Sequence, residues 1–180
     1  MAPIYKLKET FFSQEEIENR AEEIGAQITV DYEGKDLVLI GILRGAVMWM
    51  TQVMKYIDNP KATIDFMAVS SYGASTVSSG VVKINMDTVT DLNDKHVIIV
   101  EDIVDTGVTL DYLIGYIKGK NPASVSICTL LDKPAGRKKE VDVKYVGFEV
   151  PDMFVVGYGL DVNQQYRTLP YITFVEVEEE

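Results

Sequence analysis

Positive charge is scarce in this chain, with 17 Lys and Arg against 28 Asp and Glu and a formal net charge of −11. Proteins whose main partner is nucleic acid neutralise phosphates with basic patches, so this balance argues against that class. An anionic ligand would have to be met by a local set of donors. Cysteine occurs once, as Cys128 within Val125-Ser-Ile-Cys-Thr-Leu-Leu131. A lone thiol in a strand-like apolar run reads as core filler, not as a nucleophile or metal ligand. The only histidine, His96, precedes a strand on the side away from the loops and is assigned no catalytic role. No apolar run reaches membrane-spanning length, and Met1-Ala-Pro-Ile-Tyr-Lys6 lacks the apolar region of a signal peptide. A cytoplasmic protein with no membrane partner is therefore expected. Internal repeats and low-complexity tracts are missing, as is the Gly-x-x-x-x-Gly-Lys-Ser/Thr cradle of nucleotide triphosphatases.

What remains is a globular composition. With 180 residues, 47% of them hydrophobic and 25% charged, the chain can build one domain around a substantial core. Ser13-Gln-Glu-Glu16 is a capping box, and Ile17, Ala21 and Ile24 give the helix after it one apolar face. Leu37 to Leu43 is a near-continuous apolar run, which predicts a parallel strand buried on both sides. Arg44-Gly45 follows, then a helix over about 46–57 that Asp58-Asn-Pro60 ends. Val47, Met50, Met54 and Ile57 form one apolar face of it, and Trp49, Val53 and Tyr56 a second. A helix apolar almost all round is buried or meets another subunit, so a homodimer or homotetramer is expected. Ile64 to Val69 is the next strand, and Val81 to Met86 alternates like a half-exposed one; the small polar stretch Ser70 to Gly80 between them predicts a mobile loop on a hairpin.

The most informative stretch runs from His96 to Thr109. Val97 to Val100 predicts a buried strand, with Glu101 and Asp102 placed where it would end. Asp105-Thr-Gly-Val-Thr109 then opens a helix marked by Leu110, Leu113, Ile114 and Ile117 and closed by Gly119 and Asn121-Pro122. Strand, loop and helix N-terminus together hold anions, because amide hydrogens point outward and the helix dipole favours negative charge. Gly107 lets the backbone approach closely, while Thr106 and Thr109 add hydroxyls. Two acids beside an anion cradle suit a ligand that also carries hydroxyls or a metal, since carboxylates accept from ribose hydroxyls and help hold Mg²⁺. The Cys128 strand, Tyr145 to Phe148 and Phe154 to Gly157 complete the strands, and their alternation with helices predicts an α/β fold with a twisted, mainly parallel sheet. Ligands of such sheets bind beyond the carboxyl ends of the strands, where Arg44, the Tyr72 loop, Asp102 and Lys133 should converge.

Three further segments carry donors or rings. Leu43-Arg44-Gly45 offers amides and a guanidinium, though an ordinary strand-to-helix turn would explain it alone. In Asp132-Lys-Pro-Ala-Gly-Arg-Lys-Lys139, Lys133 lies just past the strand and is placed in the site, while Arg137, Lys138 and Lys139 read as a solvated loop. Glu149-Val-Pro-Asp-Met-Phe-Val-Val-Gly-Tyr-Gly-Leu-Asp161 supplies an aromatic ring, a backbone edge and a carboxylate, or else a core strand with a polar end.

Taken together, Leu43-Arg-Gly45, Ser71-Tyr72, Glu101-Asp-Ile-Val-Asp-Thr-Gly-Val-Thr109 and the segment ending at Asp161 resemble, in the same order, the motifs of hypoxanthine-guanine phosphoribosyltransferases. The resemblance covers roughly residues 37–167. It implies the type I phosphoribosyltransferase fold in one domain over 1–180. The core would span about 35–150, with a small hood lobe built from the N-terminal segment and about 151–180. It implies transfer of the phosphoribosyl group from phosphoribosyl pyrophosphate to hypoxanthine or guanine, giving IMP or GMP with Mg²⁺ as cofactor. Leu43, Arg44, Gly45 and Arg167 would bind pyrophosphate, with Ser71 and Tyr72 on a lid. Glu101 and Asp102 would meet the ribose hydroxyls, directly or through Mg²⁺, which Asp161 would help hold. Asp105 would be the base or hydrogen-bond partner at the purine imidazole ring, and the amides of Asp105, Thr106, Gly107, Val108 and Thr109 would hold the 5′-phosphate. Lys133 would donate to the exocyclic oxygen, Phe154 would stack on the ring and the Val155 backbone would pair with its edge. The family pattern also implies a cis Leu43-Arg44 peptide in the pyrophosphate complex. Rival readings are a regulator that binds nucleotide or RNA on a basic face, and a xanthine-preferring or pyrimidine relative.

Overall fold

The structure is a computed structural model that describes residues 4–71 and 82–178; Tyr72 and most of the small polar stretch lie outside the described residues. The central sheet is built from β2 (Leu37–Leu43), β3 (Ala62–Ser71), β4 (Val82–Met86), β5 (His96–Val104), β6 (Ser124–Asp132) and β7 (Tyr145–Glu149). Its order is β4-β3-β2-β5-β6-β7, and all neighbours run parallel except the β3–β4 pair. Successive strand residues face opposite sides. Leu37, Leu39, Ile98 and Val100 therefore pack on one side with α1 (Gln14–Asp31) and α2 (Val47–Val53). Val38, Ile40, Val97 and Ile99 pack on the other with Leu110, Leu113 and Ile117 of α3 (Val108–Lys118). Near-continuous apolar runs become the central strands because both of their faces are covered.

The capping box at Ser13 forms as expected, with the Glu16 carboxylate accepting from the Ser13 amide at 2.8 Å and Ile17, Ala21 and Ile24 buried beneath. Helix α2 is shorter than the sequence predicts. It stops at Val53 and tightens into a single 3₁₀ turn over Met54–Tyr56. Tyr56 lies so close to Gly25 of α1 that a Cβ there would overlap it, and the Asp58 amide donates to Thr29 at 3.0 Å, drawing the chain away. Trp49, Met50 and Val53 are covered within the chain itself. Cys128 is buried in the same core, which pushes its thiol up to about 12.

A second, antiparallel sheet of order β1-β9-β8 joins β1 (Ile4–Phe12), β8 (Val155–Val156) and β9 (Ile172–Glu178). It carries the segment that the sequence marks for an aromatic ring onto the carboxyl edge of the central sheet.

Strand β5 is longer than predicted. Glu101 and Asp102 do not end it, because its ladder to β6 continues through Glu101↔Thr129, Ile103↔Leu131 and Val104↔Asp132. Its pairing with β2 stops at Gly41↔Val100. The chain after β2 turns into α2 on one face, whereas the chain after β5 turns into α3 on the other. The two acids therefore line the opening where neighbouring strands part, the position at which sheets of this kind receive ligands.

Candidate active site

Three recesses meet at that opening. The first, about 120 Å³, is lined by Glu101, Asp105, Thr106, Gly107 and Thr109 at the start of α3. Gly107 takes φ +76°, a conformation open to glycine at little steric cost, and it caps the helix. The Val108 amide donates to Thr106 Oγ1 at 3.4 Å, and the Asp111 amide donates to the Gly107 carbonyl at 2.9 Å. The result is a glycine turn beside a small recess at the positive end of a helix, a setting suited to an anion.

The second recess, about 210 Å³, is lined by Asp102, Asp105, Lys133, Met153, Phe154, Val155, Leu160 and Asp161. The Lys133 ammonium lies 2.9 Å from Asp105 and 3.2 Å from Asp152. Burial pulls its pKa down, but the two carboxylates outweigh that and hold it above the usual lysine value. Gly136 presses on Asp105 so closely that a Cβ would overlap the carboxylate. Phe154 leaves 53% of its surface exposed beside this ammonium, a ring face with no covering partner in the core. An aromatic wall, a lysine donor and a carboxylate together suit a flat heterocycle carrying a carbonyl oxygen.

The third is a cleft of about 680 Å³ lined by Leu43, Arg44, Ala68, Val69, Asn85, Gln164 and Arg167. The Leu43-Arg44 peptide is cis. Gly45 sits against the Asp102 carboxylate and leaves no room for a Cβ; Gly159, at φ +100°, is pressed in the same way against the Gly45 carbonyl. Arg44 and Arg167 both donate to Gln164 Oε1 at 3.1 Å. Arg167 also donates to the Gly159 carbonyl and pairs with Asp161, each at 2.7 Å, while its Nε is buried without a partner.

Glu101 and Asp102 sit half-buried on the floor of the opening. Burial of their carboxyls raises both pKa values, Glu101 well above the usual range, with the neighbouring Asp102 adding to it. Neither forms an ion pair among the described residues. Glu101, Asp102 and Asp161 do not close into a ready-made cage, for no three such ligands gather among the described residues. Mg²⁺ fits this donor set nonetheless. It characteristically uses one or two carboxylates and takes its remaining ligands from substrate phosphates and water.

Most residues expected from the sequence thus come together, while Tyr72 lies outside the described residues and Ser71 is the last residue of β3. One expectation is overturned. Arg137 is not solvated; its side chain is 11% exposed and it donates to the Asp132 carboxylate and, at 2.7 Å, to the Asp105 carbonyl. The β6 end pairs with β5 and β7 on either side, so the loop after it is drawn inward over Asp105. Asp152, Gly136 and Gln164 were also not singled out by sequence reasoning. Asp152 shared a motif with Phe154, but only the fold shows that it meets Lys133.

Comparison with known proteins agrees with this geometry. Residues 9–163 match the family model described as a phosphoribosyl transferase domain. The hypoxanthine-guanine phosphoribosyltransferase of Bacillus subtilis is 47% identical over 168 residues, 93% of each chain. That of Streptococcus pneumoniae is 47% identical over 172 residues, 96% of this chain and 95% of its own. The crystal structure of a hypoxanthine phosphoribosyltransferase from Staphylococcus aureus superposes with a TM-score of 0.91 at 47% identity, covering 94% of this chain and 92% of that one. With the fold, the opening between β2 and β5 and these relatives in agreement, the chain belongs to the phosphoribosyl transferase family.

Proposed function

We propose that this protein transfers the 5-phosphoribosyl group from phosphoribosyl pyrophosphate to hypoxanthine and guanine, forming IMP or GMP and releasing pyrophosphate, a purine-salvage reaction in the cytoplasm. The observation that carries this reading is the Lys133–Asp105 pair beside the exposed Phe154 ring, next to a glycine-capped anion cradle. The cradle from Asp105 to Thr109 takes the 5′-phosphate. Phe154 stacks on the purine, the Val155 backbone faces its edge and the Lys133 ammonium donates to the 6-oxo group. In the reaction the bond from the anomeric carbon to the pyrophosphate oxygen breaks, and a bond to the purine imidazole nitrogen forms. The proton leaving that ring goes to Asp105, whose carboxylate is held at the pocket rim by Lys133 and Gly136.

A sugar cation develops as the first bond breaks, so orientation of both reactants and neutralisation of the leaving group dominate the barrier. Arg44 and Arg167, which share Gln164 as an acceptor beside the cleft, would neutralise the leaving pyrophosphate. Glu101 and Asp102 accept from the ribose hydroxyls, and with Asp161 they would hold Mg²⁺. When bound, that ion would neutralise pyrophosphate charge.

The purified protein should convert phosphoribosyl pyrophosphate to IMP with hypoxanthine and to GMP with guanine, followed by absorbance and by pyrophosphate release. A lysine donor meets the 6-amino group of adenine with another donor, and sites of this kind discriminate by about ten-thousandfold. Adenine should therefore be used with far lower kcat/KM. Equal use of adenine and hypoxanthine would overturn the base assignment, and no pyrophosphate release with any base would overturn the reaction.

A further inference from the structure

The segment from Lys133 to Lys139 is bonded to the turn between β5 and α3 at several successive residues. The Lys133 amide donates to the Val104 carbonyl at 2.9 Å. Arg137 Nη1 donates to the Asp105 carbonyl at 2.7 Å. The amides of Lys138 and Lys139 donate to the Thr106 carbonyl at 2.9 and 3.0 Å. Gly107 lies against the Lys139 carbonyl so closely that no Cβ would fit. Three consecutive carbonyls of the chain entering the cradle are therefore held from behind by one short loop.

This matters because a peptide unit is planar. In a trans peptide the carbonyl of one residue and the N–H of the next point in opposite directions. Holding the Asp105 carbonyl on the far side turns the Thr106 N–H toward the cradle. Holding the Thr106 carbonyl does the same for the Gly107 N–H. Amides fixed in this way meet an anion without reorganising, and that is what makes them effective donors. Of the described groups that hold the cradle, only Arg137 is a side chain acting on a main-chain carbonyl, and its own position is set by the largely buried Asp132 carboxylate at the end of β6.

We infer that Arg137 is a positioning residue for phosphate recognition: by anchoring the Asp105 carbonyl and the Asp132 carboxylate with one guanidinium, it presets the cradle amides for the 5′-phosphate. Lysine cannot replace it, because a point-like ammonium lacks the planar fork that spans two acceptors. This inference rests on the proposed function, which assigns the cradle to a nucleotide phosphate.

The test is calorimetric binding of inosine 5′-monophosphate and of inosine, which lacks the phosphate, to the wild type and to Arg137→Lys and Arg137→Met. Wild type should prefer the monophosphate. Both variants should bind the monophosphate on the order of ten- to a hundredfold more weakly, the range for losing a charged hydrogen bond, with inosine binding unchanged. In steady state the KM for phosphoribosyl pyrophosphate should rise while that for hypoxanthine holds. Equal weakening of both ligands, or of neither, would overturn the inference. A wild type without preference for the monophosphate would instead overturn the assignment of the cradle. Arg137→Met leaves the Asp132 carboxylate unpaired; if it does not fold, Arg137→Lys and the neutral pair Asp132→Asn with Arg137→Gln decide by the same ratio.

Discussion

The two edges of the central sheet treat their polar groups in opposite ways. At the edge where β5, β6 and β7 begin, each group named here meets a partner. The Asp31 carboxylate accepts from Tyr145 at 2.6 Å and pairs with Lys144 at 2.8 Å. Tyr32 donates to Ser126 at 2.9 Å, and His96 Nδ1 lies 2.8 Å from Ser124 Oγ. The Lys144 ammonium rests over the Tyr32 and Tyr145 rings. At the edge where the strands end, Glu101 and Asp102 have desolvated carboxyls and no ion pair among the described residues, Arg167 Nε has no partner, and Phe154 exposes its ring. One edge is satisfied by the chain alone. The other leaves desolvated acids without ion pairs, a buried Nε without a partner and an uncovered ring, and such local conflict is where function is expected.

The largest effect that would sharpen this contrast is on turnover. Asp105→Asn keeps the shape of the carboxylate but cannot accept a proton, and kcat should fall about a hundredfold to ten-thousandfold. Nucleotide binding and the unfolding temperature should change little, because the side chain is 42% exposed at the rim. Steady-state IMP formation with a parallel thermal melt checks this, and full activity would remove Asp105 from its role.

Gly45→Ala should come next. The added Cβ would overlap the Asp102 carboxylate, so the loop from Leu43 must shift. Displacement of a binding loop by about 1 Å costs on the order of a hundredfold. That loss should appear in kcat/KM for phosphoribosyl pyrophosphate, measured at saturating hypoxanthine. An unaffected kcat/KM would show that the contact between Gly45 and Asp102 does not set the pyrophosphate loop.

The smallest effects are on stability, and their signs should oppose each other at the two edges. Lys144 and then Tyr145 hold the Asp31 carboxyl below its usual range. A lowered folded value means that its contribution is present above the unfolded pKa, about 4, and is lost as pH falls through the folded value. Asp31→Asn should therefore lower the unfolding temperature at neutral pH by no more than about 2–4 °C, given solvent screening, and the gap should close in acid. Glu101 is raised by burial and by Asp102. Its contribution is full below about pH 4 and is lost as pH rises through the folded value. Glu101→Gln should thus raise the unfolding temperature of the ligand-free protein at neutral pH, with that gap also closing in acid. Thermal melts across pH check both, and two variants shifting in the same direction would break the comparison.

The parts legible in the sequence were those encoded by neighbours along the chain. The run from Leu37 to Leu43 is apolar at every position but Gly41, and a strand covered on both faces follows from that alone. The capping box at Ser13 and the helix spacing of Leu110, Leu113 and Ile117 are equally local. The turn at Gly107 and the start of α3 were legible in the motif from Glu101 to Thr109 because loop and helix N-terminus are contiguous.

What only the tertiary structure decided involves partners far apart in sequence. Strand β1 pairs with β9 across nearly the whole chain, and nothing local in either names the other. The length of β5 beyond Val100 depends on β6, and so does the inward turn of Arg137, which the sequence presents merely as one of several charges in a polar loop. Asp152 meets Lys133, and Gly159 closes on Gly45, only because the β1-β9-β8 sheet brings residues near 155 over the crevice. Periodicity and capping report which face of an element is covered and where it begins. They carry no information on which distant element does the covering, and in this protein that choice determined how the site residues are held.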